Sequence, residues 1–175
     1  MTLKASAFPG QSTKVILPIN RIKETEAYCP TYENGTQLAL IRYPHAGTFE
    51  IPNVTVNNKN VSGKRNLGQI QDAIGINAKV AERLSGADFD GDTVMAIPVS
   101  DKVPIKSTRP LEQLKGFDPK TAYAVPEGNP NNVRLMKKEE KQREMGVISN
   151  LITDMTLRGA SEEELARAVK HSMVV

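Results

Sequence analysis

At 175 residues, 39% of them hydrophobic and 25% charged, the chain can bury one substantial core and still carry a helical appendage. A net charge of +3 permits a nucleic-acid partner without demanding one. The single Cys29 excludes an internal disulfide framework and points to a reducing compartment; with no apolar run fit for a signal peptide or a membrane span, the expected location is the cytoplasm.

Val15-Ile16-Leu17-Pro18-Ile19 is short, apolar and β-branched, so it predicts a strand, edge-like because of Pro18. Glu33-Asn34-Gly35 is a turn signal, and Gln37 to Arg42 then predicts a buried strand. Phe49-Glu50-Ile51 and Val54-Thr55-Val56 predict two more short strands. Lys59, Lys64 and Arg65 form a modest basic cluster, suited to phosphate contact or to a solvated loop. Asn77 is placed to cap a short helix from Ala78 to Leu84. Thr93 to Val99 predicts a strand with apolar residues on both faces. Several short strands interleaved with turns imply a small closed barrel.

From Ser100 to about Asn132 the composition shifts. Pro104, Pro110, Pro119, Pro126 and Pro130 interrupt any period, which predicts an irregular connection. Leu135 to Leu157 predicts a helix with Met145, Ile148, Leu151, Ile152 and Met155 at helical spacing as a packing stripe. Arg158-Gly159 ends it. Ser161 with Glu164 makes a capping box that opens a second helix with Leu165, Val169 and Met173 inward. That pattern still runs at Met173-Val174-Val175, as expected of a piece cut from a longer chain. The expected class is mainly β with C-terminal helices (α+β): a barrel over 1–100, a proline-rich connection over 101–133 and a two-helix segment over 134–175.

The chemistry concentrates in Ser85-Gly86-Ala87-Asp88-Phe89-Asp90-Gly91-Asp92. Asp88, Asp90 and Asp92 alternate, so a fully extended backbone would hold them on one face about 6.6 Å apart. Convergence on a small ion requires the backbone to curl, which Gly91 permits. Carboxylates drawn together repel and need a cation, protonation or solvent. Oxygen-only ligands suit a hard ion such as Mg²⁺.

Local templates separate on position. A calcium loop of the EF-hand type needs glycine sixth and glutamate twelfth; counted from Asp88, glycine comes fourth and the twelfth residue is Val99. Phosphotransferases of the haloacid-dehalogenase type carry a similar Asp-x-Asp-Gly, but after a strand near the chain start, whereas this one follows a helical segment in mid-chain. A solvated acidic turn, or a non-catalytic barrel that merely binds a divalent ion, remains open on these residues alone.

Ala87-Asp88-Phe89-Asp90-Gly91-Asp92 resembles the signature of the two-barrel RNA polymerase superfamily. That superfamily comprises the largest subunit of cellular RNA polymerases, silencing-type RNA-dependent RNA polymerases and their phage relatives. Ala73-Ile74-Gly75-Ile76-Asn77 resembles the segment preceding the signature in cellular enzymes, and Arg42-x-Pro44 an upstream element of both branches. Ser85-Gly86 and Gly146-Val147-Ile148-Ser149-Asn150 are closer to the RNA-dependent branch.

The resemblance implies a double-psi β-barrel in which Asp88, Asp90 and Asp92 hold the catalytic Mg²⁺, a second Mg²⁺ arriving with the nucleotide. The implied reaction is template-directed nucleotidyl transfer to a 3′-hydroxyl with release of pyrophosphate. Arg42 would lie near the incoming ribonucleoside triphosphate. The implied partners are template, product RNA, nucleotide and a second barrel bearing phosphate-binding lysines, in the same longer chain or another subunit. Gly86 stands where cellular enzymes carry an asparagine that contacts the sugar, so that contact is not carried over. His45 and His171 have no evident catalytic partner, and no protein nucleophile is needed for phosphoryl transfer. Because 175 residues leave room for one barrel, the chain by itself is expected to be inactive.

Overall fold

The computed structural model describes residues 8–43, 45–84 and 86–174. Pro44 of the arginine–proline element, Ser85 ahead of the aspartates and the terminal Val175 lie outside the described residues. The chain divides into two compact units, one up to Thr108 and one from Arg109 onward.

The first unit contains strands β1 (Ser12–Pro18), β2 (Glu26–Tyr28), β3 (Gln37–Ile41), β4 (Asn53–Val56), β5 (Ala73–Ile76) and β6 (Thr93–Pro98), with helices α1 (Val61–Asn66) and α2 (Ala78–Glu82). They close into a barrel in the order β1-β5-β2-β4-β3-β6. The pairs β1–β5 and β2–β4 are parallel; the other four are antiparallel. Exchanging β1 with β4, β2 with β5 and β3 with β6 interchanges β1–β5 with β2–β4 and β1–β6 with β3–β4 and carries β2–β5 and β3–β6 onto themselves, register included. Val15 opposite Thr93 becomes Thr55 opposite Gln37, and Ile16 opposite Ile74 becomes Val56 opposite Ala27. This internal two-fold, with its crossed parallel pairs, is the connectivity of a double-psi barrel.

Alternation along the strands fills the interior. Ile16, Leu38, Leu40, Val54, Val56, Ile74, Ile76, Val94 and Ala96 are buried in one cluster, and α2 adds Val80 and Ala81, followed by Leu84. Ala39, Ile41 and Ile97 point outward and are covered by Ile51 and by the stretch carrying Val99, Val103 and Ile105. Lys14 is inside too, its Nζ donating to Thr31 Oγ1 at 2.8 Å and to the Gln71 carbonyl. Such pairing is what a buried ammonium requires.

Two expectations need correction. In a closed barrel β1 is not an edge strand: β6 pairs with it up to Val15 and β5 from Val15 on. Pro18 is tolerated because β6 starts opposite Val15, so the missing N–H falls beyond its ladder. Phe49-Glu50-Ile51 is not a strand; Thr48–Glu50 is a 3₁₀ turn in which the Glu50 carboxylate accepts the Ala46 N–H at 2.6 Å. Strands β2 and β5 and helix α1 were not expected.

In the second unit, α3 (Pro119–Ala122) precedes a hairpin of α4 (Lys138–Leu157) and α5 (Glu162–Ser172). Gly159, at φ 77°, closes α4 with Gly159 N–H donating to Thr156 and Ala160 N–H to Met155, a Schellman ending. Ser161 and Glu164 form the expected capping box. Leu165, Ala166 and Val169 of α5 are buried, with Leu111 and Ile152. The stripe on α4 is only partly a packing face: Ile152 is buried, whereas Leu151 is 52% exposed. Among the described residues, no helix is long and apolar enough to cross a membrane.

Candidate metal centre

Strand directions around the barrel place the connections after β1, β3 and β5 at one end and those after β2, β4 and β6 at the other. The acidic loop follows β5 and α2 and enters β6. Asn77 fixes its approach: its side chain accepts the Lys79 N–H at 3.0 Å and donates to the Ile22 carbonyl at 2.8 Å. Leu84, fully buried, anchors the end of that turn, and its carbonyl accepts the Ala87 N–H. Gly86 then takes φ 69°. Ala87 and Phe89 pack down onto the barrel core, so Asp88 and Asp90 between and beyond them face solvent. Phe89 is thus a support beneath the loop.

Gly91, at φ 119°, provides the curl that alternation alone would not give. Asp88, Asp90 and Asp92 each offer a carboxylate oxygen within 4.8 Å of the others. Backbone donors organise the cluster: Asp90 N–H donates to Asp88 Oδ1 and Asp88 N–H to Asp92 Oδ2, each at 3.1 Å. The Asp92 carbonyl accepts the Ile16 N–H of β1 at 3.0 Å, tying the loop to the barrel wall. Arg42, one residue past β3, reaches across to Asp92 Oδ2 at 3.0 Å. The Asp90 carboxyl is pushed above the usual aspartate range, first by its hydrogen bond to Asp88, then by the Asp88 charge, with lost solvation and the Asp92 charge adding.

The donor set fits a hard divalent ion. All ligand atoms are carboxylate oxygens, they converge without a soft donor, and the exposed side of Asp88 and Asp90 leaves room for waters or phosphate oxygens. A dication would relieve the repulsion that raises Asp90.

The barrel supplies its own comparison. Under the internal two-fold, Asp88-Phe89-Asp90-Gly91-Asp92 corresponds to Tyr32-Glu33-Asn34-Gly35-Thr36 at the opposite end. Gly35 also has positive φ, 93°, and Val56 N–H donates to Thr36 as Ile16 N–H does to Asp92. In this second copy the loop is closed by a protein amide. Asn58 accepts the Cys29 N–H at 3.0 Å, donates to the Tyr32 carbonyl at 2.8 Å and gives its own N–H to Asn34 Oδ1 at 2.9 Å. The residue corresponding to Asn58 at the acidic end is Pro18, which has neither an amide side chain nor an N–H. One copy of the turn is closed by the Asn58 amide; the other presents Asp88 and Asp90 to solvent, with Asp92 half-buried beside Arg42.

The remaining sequence candidates fall apart from this cluster. Lys59, and Lys64 and Arg65 of α1, are exposed on the connection after β4, which leaves from the opposite end. No hydrogen bond or ion pair joins them to the aspartates among the described residues. His45 lies three residues beyond Arg42, its ring 5.4 Å from that of Tyr43, with Nδ1 buried and unpartnered. The contact between Arg42 and Asp92 is the feature that sequence reading missed. It depends on the β3–β6 register, for which spacing along the chain gives no signal.

No protein-family model and no curated protein matches the chain. Among solved structures it is similar to the RNA-dependent RNA polymerase QDE-1 from Thielavia terrestris, at 17% identity and a TM-score of 0.45. That match covers 94% of this chain and 17% of the polymerase chain, so the present chain spans about a sixth of its length.

Proposed function

We propose that this chain is the catalytic-loop barrel of a template-directed RNA polymerase, contributing the metal-binding half of an active site completed by a second barrel. The observation that carries the reading is the convergence of Asp88, Asp90 and Asp92 within 4.8 Å on a loop whose sequence resembles the superfamily signature. The three carboxylates would hold Mg²⁺. When bound, the ion supplies Lewis acidity at the 3′-hydroxyl and charge stabilisation at the α-phosphate during displacement of pyrophosphate. The chain's own residues position: β1 and β6 fix Asp92, the Asp88 and Asp92 acceptors fold the loop, and Phe89 keeps it seated. Arg42 offers a planar donor set for ribose or phosphate beside the metal. Lys59, Lys64 and Arg65 offer exposed charge for nucleic-acid backbone at the other end.

The test is a Mn²⁺ titration of the purified chain followed by electron paramagnetic resonance. One class of site is expected, lost in Asp90→Asn; no binding would remove the metal reading. Templated nucleotide incorporation is expected from the chain joined to its second barrel and absent from the chain alone. Turnover of a generic phosphate ester, abolished by Asp88→Asn, would instead favour a phosphotransferase.

A further inference from the structure

We infer that Arg42 is the built-in counterion of the acidic loop, whose contact with Asp92 a binding divalent cation competes with and weakens. This rests on the metal reading of the loop and goes beyond it, since it assigns Arg42 a role toward the cation as well as toward substrate.

The geometry is specific. Arg42 Nη2 and the Asp88 N–H meet the same oxygen, Asp92 Oδ2, at 3.0 and 3.1 Å. Without a cation, three carboxylates crowd within 4.8 Å and the guanidinium is the positive group shown in contact with them. The pair is 25% and 26% exposed, shielded enough to hold yet open to an incoming ion. Partly exposed ion pairs of this kind are weak, so a dication drawing on three carboxylates outcompetes one guanidinium. The second copy of the turn carries Pro98 at the position of Arg42 and has no carboxylate cluster to neutralise. Guanidinium and carboxylates therefore occur together at one end of the barrel.

Two effects of removing Arg42 oppose each other. Loss of its hydrogen bond loosens Asp92, which would weaken cation binding; loss of its charge strengthens it. The second dominates, because Asp92 stays held by the Asp88 N–H and, through its carbonyl, by Ile16. A unit charge a few ångströms from a dication at a water-exposed site is worth about tenfold in affinity after screening.

Mn²⁺ affinity by electron paramagnetic resonance is therefore expected to rise about tenfold in Arg42→Gln and to stay near wild type in Arg42→Lys, which keeps the charge. In the wild-type chain, the Arg42 Nε–H signal in nitrogen-15 spectra should move along the Mg²⁺ binding curve. Binding that is unchanged or weaker in Arg42→Gln, or an Arg42 signal indifferent to saturating Mg²⁺, overturns the inference while leaving the metal site standing. Failure of wild type and variants alike to bind Mn²⁺ overturns the metal reading itself.

Discussion

Replacing Gly91 with alanine tests whether backbone geometry gathers the three carboxylates. At φ 119° the residue lies where L side chains are strained, and an added Cβ would meet nothing within 4 Å, so the perturbation acts on the backbone alone. Such strain amounts to about 1–3 kcal/mol. The loop can keep its shape and lose that stability, or relax and lose convergence. Relaxation wins, because Gly91 and Asp90 at the tip are exposed while the anchors, Phe89 and the Asp92 carbonyl, flank them. The strain then appears as weakened Mn²⁺ binding, about 5- to 150-fold at 1.4 kcal/mol per decade, with little change in the urea midpoint. Gly35→Ala is the matched control: φ is 93°, its Cβ is also unobstructed, Asn58 bonds hold Tyr32 and Asn34 before it, and the Val56 N–H holds the Thr36 carbonyl after it. It should lower stability by about 1–3 kcal/mol and leave Mn²⁺ binding untouched. Wild-type metal affinity in Gly91→Ala, or equal loss in Gly35→Ala, would refute the reasoning.

Asp90 ionises less readily in the fold than in the unfolded chain, so between the ordinary aspartate range and its raised value the native state binds more protons. Stability should therefore fall as pH rises through that window, while Mn²⁺ affinity rises, and Asp90→Asn should flatten the stability slope in urea titrations across it. Gly63→Ala in α1 would gain about 1 kcal/mol from helix propensity, but its Cβ would sit 2.4 Å from Tyr28 Cγ and Cδ2. Tyr28 is buried and bonded to the Gly68 carbonyl, so a net loss of about 1–3 kcal/mol is expected by urea denaturation; stabilisation would show that the ring can move aside. Ser161→Ala removes the cap of α5 and should cost about 1 kcal/mol, seen as reduced helicity on heating.

The barrel was legible where strands alternate or run apolar for five residues or more, as in β1, β3 and β6. Strands β2 and β5 escaped because three or four residues, all or nearly all buried, show no period. Helix α1 contains Val61, Gly63 and Asn66, poor helix formers that tertiary contacts and the Asn60 cap hold in place. Phe49-Glu50-Ile51 has the composition of a strand, yet local bonds, from the Ala46 N–H to the Glu50 carboxylate and from the Glu50 N–H to the Gly47 carbonyl, make it a 3₁₀ turn. At the candidate metal centre, spacing revealed the carboxylates and glycine the curl. The Arg42 contact and the silent second copy were hidden, since both are products of strand register.

That register has a consequence for how the molecule comes into being. None of the six ladders joins two strands of the same half: β1, β2 and β3 pair only with β4, β5 and β6. During synthesis β1, β2 and β3 have no sheet partner until β4 emerges, and the barrel wall cannot close until β6 leaves the ribosome. Folding that waits on such distant contacts is slow, and the acidic loop, the last segment before β6, is assembled at the closing step. The same interlacing means that the two halves, made as separate peptides divided in the connection after β3, contain between them every complementary edge the barrel needs.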